Sequence, residues 1–195
     1  GAPTIAGVPG GSSATIQVIS ATDVEISGFV ITRLGNSVAT WNDPLNNNGL
    51  LASSSPGLHF HGNVVTGNRN GLNLQFMTGA LVEKNVVDDN RTGMQIVDWV
   101  TNSTFRENTF ANNWTIGILF RSETAGGSDT TGTVFANNDI SGNWYGQIEY
   151  RNPDAHPTTL KNFSGNWVGT TTPTIVATNG GEPGYAAQIP VAFGG

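Results

Sequence analysis

One short phrase recurs five times between Leu58 and Val168, and it restricts this chain to a coil of stacked, near-identical turns. The phrase is an apolar residue, two variable residues, an asparagine, one more variable residue and a second apolar residue. Its copies are Phe60, Asn63 and Val65; Val82, Asn85 and Val87; Phe105, Asn108 and Phe110; Phe135, Asn138 and Ile140; and Phe163, Asn166 and Val168. Self-similarity at such a period marks a repeat architecture. The asparagines are spaced 22, 23, 30 and 28 residues apart. A turn of about 22 residues is too short for a helix pair and fits several short strands. A variant copy begins at Val24, with Ile26 and Ile31 in the apolar places and Phe29 in the asparagine place.

A second phrase follows the first. It runs from Asn68 to Leu74, Asn90 to Ile96, Asn113 to Phe120 and Asn143 to Tyr150, each with a glycine three or four residues in. Asparagine and glycine tolerate left-handed backbone, so they are expected to mark a bend. After the glycine the chain alternates apolar and polar, as a strand with one buried face does. Each turn then reads as strand, bend, strand, loop. In a parallel sheet, turns stack at about 4.8 Å, so like residues lie on like. Asn63, Asn85, Asn108, Asn138 and Asn166 are expected to form a buried amide ladder beside an apolar column of Phe60, Val82, Phe105, Phe135 and Phe163.

These phrases resemble the repeats of right-handed parallel β-helix proteins of the pectate-lyase-like superfamily. They are most similar to the subgroup with apolar-x-x-Asn-x-apolar repeats seen in NosD-type periplasmic and surface proteins. The resemblance covers residues 14 to 168 and implies an all-β, right-handed, single-stranded parallel β-helix of about six to seven turns. Residues 169–195 break the pattern and read as an irregular, capping segment. The resemblance also implies a range of activities, from polysaccharide lyases, epimerases and hydrolases to adhesins and non-catalytic modules.

Charge and composition narrow the partners. With 8 Lys and Arg against 14 Asp and Glu, the net charge is −6, and no basic face for nucleic acid is expected. Cysteine is absent, which excludes disulfides and thiolate metal sites. No apolar run is long enough to span a membrane as a helix. The opening residues lead into a strand at Ala14 with no charged cap ahead of it. The chain is therefore expected to be a piece of a longer protein, with coil ends able to self-associate.

The long spacings locate a candidate site. Extra residues are expected after the second strand in three turns, at 42–55, 122–132 and 152–158, all at one corner of the coil. Insertions clustered on one face often mark the binding face. With Val38, Leu72, Met94, Ile118 and Ile148 inward, one outward column holds Ala39, Asn73, Gln95, Leu119 and Glu149. The next holds Trp41, Gln75, Val97, Arg121 and Arg151. Trp41 would stack on a sugar face, Asn73, Gln75 and Gln95 would read hydroxyls, and Arg121 with Arg151 would hold a uronate carboxylate. Glu149 lines the same groove in this reading, with Asp154 as a carboxylate partner, but no catalytic set is assigned.

The expected role is contact with polysaccharide or a cell-surface glycan, outside the cytoplasm. Catalysis at the same face and a purely structural, self-assembling role are the alternatives. Two metal readings are weaker than their plain ones. His59 and His61 project from one strand face about 7 Å apart with Glu83 in the next turn, and read as polar surface. Asp88 and Asp89, at a bend with Asn68, Asn90, Asn112 and Asn113 above and below, would suit calcium but also suit a turn. No metal site is expected, calcium being the one cation the bend could take.

Overall fold

The computed structural model describes residues 1–8, 13–35, 47–121, 128–151 and 161–174. Every strand in it pairs in parallel, and the strands form three sheets that wind around one core. The five-stranded sheet takes the first half of the recurring phrase, in β3 (Glu25–Ser27), β6 (His59–His61), β9 (Leu81–Glu83), β12 (Thr104–Arg106) and β14 (Val134–Ala136). The four-stranded sheet takes the second half, in β1 (Thr4–Gly7), β4 (Val30–Arg33), β7 (Val64–Thr66) and β10 (Val86–Asp88). Single bridges from Val86 through Thr109 and Asp139 to Trp167 carry that sheet onward. The six-stranded sheet contains β2 (Ala14–Ile19), β5 (Asn48–Ser53), β8 (Asn70–Thr78), β11 (Thr92–Thr101), β13 (Ile116–Arg121) and β15 (Gly146–Arg151).

Each coil is thus three strands, where two were expected. The difference lies in the phrase itself, which spans a corner. Phe60 sits on β6 and Val65 on β7, with Asn63 between the two strands. At that corner each amide nitrogen and side-chain amide reaches the next coil. Asn85 N and Nδ2 donate to Asn108 Oδ1 at 3.1 and 2.9 Å, and Nδ2 also donates to Phe60 O at 2.9 Å. The same bonds join Asn63 to Asn85, Asn108 to Asn138 and Asn138 to Asn166, so the expected ladder is present in full. Phe29 holds the place below it and donates its N–H to Asn63 Oδ1 at 3.0 Å. Beside the ladder, Phe105 stacks on Phe135 and Phe135 on Phe163, with ring centroids 5.0 and 4.5 Å apart.

The asparagines of the second phrase build a second ladder at the next corner. Asn68 donates to Asn90, Asn90 to Asn113 and Asn113 to Asn143, each through N and Nδ2. Asn143 makes the same pair of bonds to Gln147 Oε1, at 3.2 and 2.9 Å, so a glutamine of the same coil stands in for the next asparagine. Neither ladder uses left-handed asparagine. The left-handed residue is the one before it: Lys84, Glu107 and Asn137 on the first ladder, Asp89 and Asn112 on the second. That residue turns the corner and leaves the asparagine free to aim its amide along the axis.

The insertions need a correction. Leu51 and Ser53 of β5 stack on Asn73 and Gln75 of β8, in place of Ala39 and Trp41. Residues 36–46 therefore join β4 to β5 and enter before the long strand, whereas 122–127 and 152–160 follow β13 and β15. In chain order the first insertion precedes its long strand, and the other two follow theirs. Gly49 explains why Asn48–Ser53 takes the strand register. A Cβ there would meet Gly71 O at 2.7 Å, and one at Gly93 would meet Gly117 O at 2.6 Å, so this column takes glycine. The step from 22 to 23 residues has a local cause as well. The register of β11 on β8 shifts between Val97 and Val100, where β11 carries one extra residue.

Candidate functional site

The outward face of the six-stranded sheet carries a cleft of roughly 460 Å³. Its floor comes from alternate residues of β8, β11 and β13, whose other residues are locked into the core. Leu72, Leu74, Met94, Ile96, Ile118 and Phe120 are fully buried, and this fixes which neighbours face out. Asn70, Asn73, Thr92, Gln95, Thr115, Ile116 and Leu119 lie along the cleft, with Asn47, Asn48 and Ser13 at one end and Arg121 at the other. Arg69 and Arg91, at the bend before the long strands, form its side.

The floor amides are tied to each other. Gln95 Nε2 donates to Asn70 Oδ1 at 2.8 Å, Asn70 Nδ2 to Asn48 Oδ1 at 2.7 Å, and Asn48 Nδ2 to Ser13 O at 3.0 Å. This chain crosses four coils on the outside, as the two ladders do on the inside. It fixes the orientation of each amide, which pre-organises the remaining donors and acceptors for a ligand. Three of the chain's six arginines line the cleft, and none of the described lining residues is a carboxylate. In a chain of net charge −6 that is a local reversal of sign.

The expected site residues divide. Asn73, Gln95 and Arg121 line the cleft. Gln75 is half-buried beyond it, donating weakly to Asn73 Oδ1 at 3.4 Å. Glu149 is a correction: it is 1% exposed and does not line the cleft, so it cannot meet a polymer there. Arg151 pairs in register with Arg121 through the backbone of β15. Trp41 and Asp154 lie outside the described residues. Sequence reasoning passed over Arg69 and Arg91 because it assigned them to the bend. Their recurrence after Asn68 and Asn90 was the available signal. The calcium reading loses three of its four amides, since Asn68, Asn90 and Asn113 are buried and bonded within the second ladder. Burial, and then the charge of Asp89, push the Asp88 carboxyl up from its usual range.

A family model described as a right handed beta helix region matches residues 5–164. The chain belongs to that family. No curated protein and no solved structure matches it. The three parallel sheets and their coil-by-coil register are the architecture that a right-handed β-helix requires, and the inward columns account for the recurring phrases. Family membership carries no activity with it, because function on this scaffold resides in the outward residues.

Proposed function

We propose that this β-helix binds acidic polysaccharide, a polymer of uronate type, in the cleft of the six-stranded sheet. The observation that carries the reading is the lining: Arg69, Arg91 and Arg121 around a floor of oriented amides and hydroxyls, with no carboxylate among the described lining residues. Guanidinium groups match carboxylates in shape and charge, and amides read hydroxyls. Such polymers are found outside the cytoplasm, and we assign the molecule to that side. Support for catalysis at this face is weaker. Hydrolysis by the common route needs two carboxyl groups flanking the bond, and arginine stays protonated in almost every setting, so it makes a poor base.

Titration calorimetry with oligogalacturonate and with a neutral oligosaccharide of equal length tests the reading. Binding of the acidic oligomer alone, weakening as salt is raised, is expected. Arg69→Ala and Arg91→Ala should each weaken it about tenfold, equivalent to ~1.4 kcal/mol. Equal binding of both oligomers, or no effect of either substitution, would sink the proposal.

A further inference from the structure

The outward face of the five-stranded sheet holds a second cluster, on a different side of the coil. Strand β6 is three residues long, and its central Phe60 is fully buried. Alternation therefore sends both His59 and His61 outward. Their rings stack with centroids 4.1 Å apart. Each imidazole is laced diagonally to a carboxylate of a neighbouring coil. His61 Nε2 lies 2.9 Å from Glu25 Oε1 on β3, and His59 Nε2 lies 3.1 Å from Glu83 Oε1 on β9. The other oxygen of Glu83 is held by Arg106, with Nε and Nη2 at 2.7 and 2.6 Å. One donor atom from each of Glu25, His59 and His61 lies within 4.8 Å of the others.

We propose that Glu25, His59 and His61 form a binding site for a divalent transition-metal ion of the zinc class, with Glu83 orienting His59. Two imidazoles and one carboxylate make a mixed nitrogen and oxygen set, which suits borderline cations. Calcium and magnesium want shells made of oxygen. An ion held at about 2.0–2.1 Å sets tetrahedral ligands roughly 3.4 Å apart, so the three donors need only side-chain rotation to close on it. While Nε2 of His59 stays on Glu83, Nδ1 is the nitrogen left for the ion. A carboxylate behind a ligating histidine fixes its tautomer and raises its basicity, and Arg106 holds that carboxylate in turn. Both histidine side chains are about one-third exposed, which leaves an approach for the ion and a position for water. This site shares no residue with the cleft and stands without the polysaccharide reading.

The test is a calorimetric titration of zinc into the metal-free chain at pH 7.5, with cobalt(II) visible absorption as the spectroscopic readout. One ion per chain is expected, with Kd at or below about 10 µM. His59→Ala and His61→Ala should each weaken binding at least roughly tenfold, and Glu83→Gln about tenfold through the orientation of His59. Calcium in large excess should not compete. Circular dichroism of the metal-free variants checks the fold, with His→Gln replacing any alanine variant that fails it. His156→Ala, at the third histidine of the chain, supplies the control and should leave affinity unchanged. A Kd above about 1 mM, affinity unchanged in His61→Ala, or affinity lost in His156→Ala would each overturn the proposal.

Discussion

The two outward faces rest on the same coils yet carry opposite chemistry. On the six-stranded sheet, arginines surround amides that bond to each other, and the described lining holds no carboxylate. On the five-stranded sheet, the carboxylates of Glu25 and Glu83 alternate from coil to coil with His59, His61 and Arg106; each histidine meets its carboxylate diagonally and Arg106 meets Glu83 directly across the strands. One face suits an anion and the other a cation. What lies beneath them is nearly invariant: buried asparagines and apolar columns whose places are set by stacking. The coil constrains its inward residues strictly and its outward residues hardly at all, so function can differ between two faces a strand apart.

The strongest way to break this comparison is to remove the interior that both faces share. Asn108→Ala would delete the acceptor of two bonds from Asn85 and leave Val82 O without its donor. Each buried polar group so orphaned costs on the order of 1–3 kcal/mol. A loss of about 4 kcal/mol is expected in urea unfolding, against less than ~1 kcal/mol for the half-exposed Asn73→Ala. Equal losses for the two would show that the interior is not the common support.

A second test uses the one lysine that the coil places inside. Lys161 is 4% exposed, donates to Ser128 O at 2.7 Å, and lies over the rings of Phe120 and Tyr150. Burial pulls its pKa down to about 8, against a smaller opposing pull from Asp129. Below pH 8 the group is charged in both folded and unfolded chains, and the cost of burying that charge is fully present. Between about pH 8 and 10.5 the folded chain gives up the proton first, so stability rises with pH across that window. Unfolding free energies of the parent and Lys161→Met, followed from pH 7 to pH 10.5, should shift relative to each other by roughly 3 kcal/mol in the parent's favour. A constant difference would mean that the lysine does not feel its burial.

The smallest expected effect sharpens the comparison most directly. Arg91→Ala should weaken oligogalacturonate binding about tenfold, ~1.4 kcal/mol, and leave the cobalt spectrum unchanged. His61→Ala should do the reverse. Cross-effects in both directions would mean that the faces are coupled and are not separate sites.

Much of the coil was legible in the chain. The Asn63 ladder, the Phe105 stack and the inward placement of Leu72, Met94 and Ile118 follow from the repeat, since a residue must match its neighbours above and below to be buried. The variant copy at Phe29 was legible for the same reason. The first insertion was misplaced, although Asn46 to Leu50 repeats Asn68 to Leu72 with only the second residue changed. Weighing the glycine, which stacks without a Cβ, above the apolar alternation at Val38 would have found the strand.

The sequence by itself therefore determined the architecture and the buried columns, because stacking at a fixed rise forces like onto like. Only the tertiary structure decided the outward chemistry. It buried Glu149, brought Arg69, Arg91 and Arg121 around the cleft, and carried Glu25 across 36 residues of chain to His61. Outward side chains meet both directly across and diagonally between coils, and those meetings depend on a strand register that no outward residue dictates.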